Sequence, residues 1–280
     1  MKGTQGQLAG LGSRIGPRPP GGTVAIVPPA PARGQRRGAF TLIELLVVVG
    51  IISLLLSLLL PGLSHAMEMG RRGVCMNNLR VMAVAAHTYA ARFDDQFPIA
   101  YYNEVGPLAA TSYCWDFKTT TDASGTRVEP GILWQGDAAA DIQQCPSFKG
   151  SANWQADPHT GYNYNTSYIG HGQGESVQAP ARIDRVKAPQ SCALFGDGQF
   201  ATGANKFMRA PWKNPGDASF SGRYAGTQGF RHAGTTCVAF CDGSTLPLTA
   251  CFKDTYTSDI KKIALNTGFL SSDNGLYDLQ

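Results

Sequence analysis

The chain has 280 residues, 43% of them hydrophobic, and a formal net charge of +4, which suits one or two globular domains with one greasy segment. The positive balance is confined to the front: residues 1–39 hold Lys2, Arg14, Arg18, Arg33, Arg36 and Arg37 and no acid, leaving 18 basic against 20 acidic side chains in the remainder. That distribution leaves no nucleic-acid footprint on residues 40–280.

Residues 1–39 contain nine glycines and six prolines with neither a helical nor a strand period. They read as a basic leader excluded from the fold. The run Gly38-Ala39-Phe40-Thr41-Leu42-Ile43-Glu44 comes next, and Leu45 to Leu63 are nineteen positions without a formal charge. At about 1.5 Å per residue, a helix of that length matches a bilayer core of roughly 30 Å. Arginines before the apolar run keep the N-terminus cytoplasmic and send the chain beyond Leu63 across the membrane. Glu44 stands next to leucines, where a carboxylate is costly and requires a partner. A cut before Phe40 supplies one, because the new α-amino group lies four residues away on the same helical face.

On these residues the sequence resembles the type IV pilin and type II secretion pseudopilin family. The family's signal is a basic leader, a small residue, Phe-Thr-Leu-Ile-Glu and an apolar helix. The resemblance implies cleavage by a prepilin peptidase, methylation of the new N-terminal Phe40, and pairing of Glu44 with a subunit terminus during assembly. Gly38 precedes Ala39 where the family usually has glycine next to the cut. A cut between Ala39 and Phe40 keeps Glu44 fifth, and it makes Pro61 the twenty-second mature residue, where many such helices carry a bending proline. The rival reading is a secretory signal cut after Ser64-His65-Ala66, but its apolar core is too long and Glu44 interrupts its start.

Beyond Pro61, Leu79, Met82, Ala86, Tyr89 and Phe93 recur at spacings of three and four, which predicts an amphipathic continuation of the helix. Asp94-Asp95-Gln96-Phe97-Pro98 ends it, so a rod of about 80 Å is expected from Phe40 to Phe93. Residues 99–230, rich in Gly, Tyr, Asn, Thr and Pro, predict turns and short strands. Thr236–Phe240 and Ser244–Thr249 read as a hairpin through Asp242-Gly243, with a type I′ turn, and Pro247 puts the second strand at an edge.

Cys75-Met76-Asn77-Asn78-Leu79, His87, Tyr89, Cys145-Pro146, Ser167-Tyr168 and Phe230-Arg231-His232 occur in the order seen in a bacterial pseudopilin-like subfamily that ends in His, nine residues, then Asp-Gly. Here those last residues are His232, Asp242 and Gly243. Two readings of them stand. The preferred one is a turn aspartate and a hydrogen-bonded structural histidine. The other is a cation site joining His232 and Asp242 with Asp197 or Asp217; major type II pseudopilins, which bind calcium near the end of the head, imply calcium for it.

Seven cysteines on the extracytoplasmic side meet an oxidising compartment, and their odd number leaves one unpaired. Cys237 and Cys241, about 13 Å apart on one strand, are too far apart to bridge. Cys145 has Cys114 or Cys192 as partners to consider. No Cys-x-x-Cys, nucleophile elbow, His-Glu-x-x-His or phosphate loop is present, so no enzyme is expected. The four tryptophans and many tyrosines read as core before they read as a groove.

The expected fold is α+β and pilin-like: a cleaved leader at 1–39, a transmembrane or filament-core helix at 40–63, an amphipathic second half at 64–97, and an extracytoplasmic head on an antiparallel sheet at 98–280. The expected function is a structural subunit in the inner membrane. Its partners would be prepilin peptidase and other pseudopilin subunits, in a type II secretion or type IV pilus-like filament. The alternative is a membrane-anchored binding module for a solute, polymer or envelope component.

Overall fold

A computed structural model of the chain describes residues 40–135, 144–152, 158–201, 203–217 and 222–280. The leader, with Gly38 and Ala39, lies outside the described residues, as does Trp154. Two compact units divide the chain at Ile52/Ser53.

Helix α1, Leu42–Ala90, has 49 residues, about 74 Å at the standard rise. From Phe40 to Met67 every side chain is exposed. Pro61 sits inside the helix without ending it; its ring removes the amide that would bond the Ser57 carbonyl. Farther on, Cys75, Leu79, Met82, Ala83, Ala86 and Ala90 are buried, one stripe at spacings of one, three and four. The helix ends three residues earlier than the sequence pattern suggests, because Asp94 and Asp95 both take positive φ, 49° and 57°, and turn the chain back. Tyr89 and Phe93 then stack on each other at 4.2 Å, with Tyr89 only partly buried and Phe93 exposed.

Among the described residues, three sheets come after the helix. β1 (Tyr101–Val105), β2 (Ala109–Cys114), β3 (Phe117–Asp122) and β4 (Gly125–Pro130) form an antiparallel meander. Much of it is exposed, and β4 lacks a single buried residue.

The central sheet is built from β5 (Tyr162–Asn165), β6 (Ala193–Asp197), β7 (Phe207–Met208), β9 (Thr236–Phe240) and β10 (Thr245–Leu248), in the order β10-β9-β6-β5-β7. All its pairs are antiparallel except β5 with β7. β5, β6 and β9 are buried along their whole length, so both faces of the sheet are covered. Along β9 the period of two sorts them: Cys237 and Ala239 join the core that includes Leu79, Met82 and Ala86 of α1. Val238 and Phe240 join the opposite core with Phe269, Leu270 and Tyr277. The remaining strands, β8 (Gln228–Gly229) and β11 (Thr267–Gly268), pair with each other. A short helix, α2, covers Thr257–Ile260. The architecture is therefore α+β and pilin-like: a long N-terminal helix followed by an antiparallel head.

The hairpin of β9 and β10 forms as the sequence suggests, and β10, which contains Pro247, is an edge strand. Its turn differs. Gly243 takes φ +83° while Asp242 does not take positive φ; the Gly243 amide bonds the Phe240 carbonyl, and Phe240 bonds back to Ser244. That is a three-residue loop closing on a left-handed glycine rather than a type I′ turn. Positive φ at both central residues occurs instead at Ala233 (52°) and Gly234 (82°), between His232 and Thr235, which exchange backbone bonds of 3.1 Å.

Candidate functional site

The first site is the start of α1. The Thr41 amide and hydroxyl both donate to Glu44 Oε2, at 2.9 and 2.7 Å, while the Glu44 amide donates to Thr41 Oγ1 at 3.3 Å. This is a capping box: Thr-x-x-Glu lets two helix-end donors be satisfied reciprocally. Glu44 thus has a partner before any cut is made. The motif Thr41-Leu42-Ile43-Glu44 carries this signal in plain sequence, although the α-amino group alone suggested itself as the partner.

Among the head residues singled out by sequence, Asp242 is exposed and its carboxylate accepts from the amide and hydroxyl of Ser244, two residues on, at 2.8 and 2.6 Å. It is a turn aspartate. Asp217 is buried and takes Arg209 at 3.0 Å on one oxygen and Arg223 at 2.7 Å on the other, with Glu175 also on Arg209 at 2.6 Å. Guanidinium groups already occupy the oxygens a calcium ion would need. Neither Asp217 nor Asp242 belongs to the group around His232.

That group is the second site. It brings together Cys75 from α1, Cys145, Asp197 at the end of β6, and His232 from the turn before β9, all buried, with one donor atom from each within 4.8 Å of every other. Cys75 donates to Cys145 Sγ at 2.9 Å. His232 Nε2 lies 3.6 Å from Cys145 Sγ and 3.4 Å from Asp197 Oδ2, while Nδ1 lies 2.8 Å from Glu68 Oε1. Glu68 precedes Cys75 by seven residues, two turns along the same face of α1, and also accepts from Ser147 at 2.5 Å and Arg71 at 3.4 Å. Arg231 donates to Cys145 Sγ at 3.3 Å, to Asp197 Oδ1 at 3.1 Å, and to the carbonyls of Gly161 and Gly198. The Cys237 amide donates to Asp197 Oδ2 at 2.7 Å.

These contacts set the charges. The hydrogen bond from Cys75 pulls the Cys145 thiol down to about 5; burial opposes this, and His232 and Arg231 support it. Burial disfavours charge on His232, but its bonds to Asp197 and Cys145 outweigh that and carry it up to about 10. The Cys75 thiol is pushed up by the same bond to Cys145 and by burial. Glu68 sits below its usual range, since its bonds from Ser147 and His232 overcome the burial that would raise it.

Cys145, His232 and Glu68 line up as a nucleophile, a base and an orienting acid would. Yet Cys145 is 1% exposed and His232 0%, so in this conformation a substrate does not reach the sulfur. The donor set, two sulfurs, one imidazole and one carboxylate, is that of a soft or borderline metal and not of calcium. All seven cysteines carry free thiols. The thiol beside Cys145 is Cys75, not Cys114 or Cys192. Asp197 and His232 stand out together in the sequence, but Cys75 and Cys145 belong to separate motifs 70 residues apart, with nothing local to join them.

Residues 34–60 match the family model described as the prokaryotic N-terminal methylation motif. No curated protein and no solved structure matches the chain.

Proposed function

We propose that this chain, which carries a pilin-type N-terminal methylation motif on a long apolar helix, is a structural pseudopilin-like subunit and not an enzyme. Prepilin peptidase cuts between Ala39 and Phe40, Phe40 is methylated, and residues 40–63 hold the product in the inner membrane with the head extracytoplasmic. The subunit then enters a type II secretion or type IV pilus-like filament in which such helices bury one another. The motif match across residues 34–60 carries this reading.

The capping box gives the assembly step a physical form. Before the cut, Glu44 satisfies helix-end donors of its own chain. After it, a charged terminus is created one helical turn away on each subunit, and in the apolar filament core a charge-assisted bond from a neighbour's terminus to Glu44 is stronger than a neutral one. Intact mass and N-terminal sequencing of protein taken from membranes test the processing, with a methylated Phe40 expected. A start at Met67 would instead mean ordinary secretion. Glu44→Ala is expected to leave membrane insertion intact and abolish filament incorporation, measured by crosslinking of subunits in membranes.

A binding role for the head is the second reading, and one observation favours it. Between the end of α1 and the four-stranded sheet lies an open cleft of about 530 Å³ lined by Tyr89, Phe93, Tyr102 and Tyr113. Tyr102 and Tyr113 stack at 4.5 Å, beside the Lys118–Glu129 pair at 3.0 Å. Stacked rings beside a charge pair suit a sugar or an extended peptide. Fluorescence titration with oligosaccharides and oligopeptides, wild type against Tyr102→Ala, tests this reading; a flat response in the wild type removes it.

A further inference from the structure

We propose that Cys75, Cys145, Asp197 and His232 are the four ligands of a structural zinc ion that ties α1 to the head. A tetrahedral zinc with ligands at about 2.0–2.3 Å holds sulfur and nitrogen about 3.5 Å apart and nitrogen and oxygen about 3.3 Å apart. The corresponding distances here are 3.6 Å for Cys145 Sγ to His232 Nε2 and 3.4 Å for His232 Nε2 to Asp197 Oδ2. The two sulfurs, 2.9 Å apart through the Cys75 thiol hydrogen bond, must open by about 0.9 Å to reach the spacing of two thiolates on zinc. Coordination itself drives that opening, since it displaces the thiol proton that holds them together, and releases it with the proton on His232 Nε2 to solvent.

The surroundings favour a metal more strongly than the four donors do. A metal-ligating histidine characteristically gives its other ring N–H to a carboxylate, which fixes the tautomer and aims the free nitrogen. His232 has that partner in Glu68, 2.8 Å from Nδ1, itself held by Ser147. Asp197 keeps Oδ2 facing the cluster while its Oδ1 is tied to Arg231. Arg231 also donates Nε–H to Cys145 Sγ, as outer-shell donors do for metal thiolates. The charges close as well: two thiolates, one carboxylate and a divalent ion sum to one negative charge, which the guanidinium of Arg231 offsets, while Glu68 is paired with Arg71 at 3.4 Å.

Thiolate and imidazole together select zinc over the hard cations. Four protein ligands, all buried, leave no open position, the mark of a structural rather than a catalytic site. The nearest two ligands in sequence, Asp197 and His232, are 35 residues apart, so the ion would fasten four remote segments.

The test uses the full-length protein purified from membranes in detergent. Elemental analysis after dialysis is expected to find one zinc per chain, and replacement by Co²⁺ to give thiolate-to-metal charge-transfer absorption with the intense visible bands of a tetrahedral site. Cys145→Ser and His232→Gln are expected to lose the zinc, whereas Cys192→Ser, at a buried cysteine outside the cluster, retains it. The cobalt spectrum is read on the wild type, so it decides even if a ligand variant fails to fold. A metal-free protein overturns the proposal, whether its thiols titrate freely or it is two hydrogens lighter with a Cys75–Cys145 disulfide in the peptide map. So does bound metal whose cobalt form lacks the thiolate band.

Discussion

Over Leu42–Leu60 every side chain of α1 is exposed, whereas between Cys75 and Ala90 six positions of the same helix are buried in one stripe. Backbone geometry is common to both stretches; composition differs. In the first, leucine, isoleucine and valine occupy all faces, so no face is marked for the protein's own core. In the second, the stripe faces Trp115, Tyr164, Phe195 and Ala239 of the head, while Val81 and Val84 remain exposed at 49% and 59%. One helix thus carries two patterns: a stretch apolar on every face, with the length and composition of a membrane span, and a stretch with one buried stripe.

Charges placed in the first stretch should have the largest effect. Leu54→Lys with Leu58→Lys adds roughly 5–7 kcal/mol to insertion at the helix centre, so the protein should leave the membrane pellet after a carbonate wash. Near-UV circular dichroism of the head should stay unchanged. A lost head signal would mean that the two stretches do not act independently.

In the second stretch, Leu79→Ala should cost about 2–5 kcal/mol, because Leu79 is fully buried in the core. Val81→Ala, two positions on and exposed, should stay within about 0.5 kcal/mol. Denaturant melts of the two variants side by side measure the stripe directly, and equal losses would place the buried face elsewhere.

The first stretch was legible in sequence because its signals are local: a charge-free run, a basic flank and Thr-Leu-Ile-Glu need no partner from elsewhere in the chain. The hairpin of β9 and β10 was legible for the same reason. The helix end was not, since Tyr89 and Phe93 continue the apolar period but stack on each other instead of entering the core. Turn chemistry also misled. Asp242-Gly243 looks like the positive-φ pair, but Ala233-Gly234 takes that conformation, held by the bonds between His232 and Thr235. The cluster around His232 was legible only in pieces. Its members lie on four separated segments, and nothing in the spacing of Cys75, Cys145, Asp197 and His232 states that the sheet will bring them within 4.8 Å.

The smallest effect expected lies between the two stretches, at Pro61. Its missing amide leaves the Ser57 carbonyl without its helical donor. On either side Ser57 and Ser64 donate their hydroxyls back to the carbonyls of Leu54 and Leu60, at 2.7 and 3.0 Å, a pattern that bends helices slightly. Pro61→Ala restores the donor at a position where every neighbour from Leu58 to Met67 is exposed. Hydrogen-exchange protection should therefore rise for amides 58–65, with the denaturant midpoint of the head unmoved. Local opening free energies differ along a chain when few buried contacts link the segments, and this segment has no buried residue before Cys75. A midpoint that rose along with the protection would show that helical order at Pro61 is transmitted to the core at Leu79, and the contrast between the two stretches would then be one of composition alone.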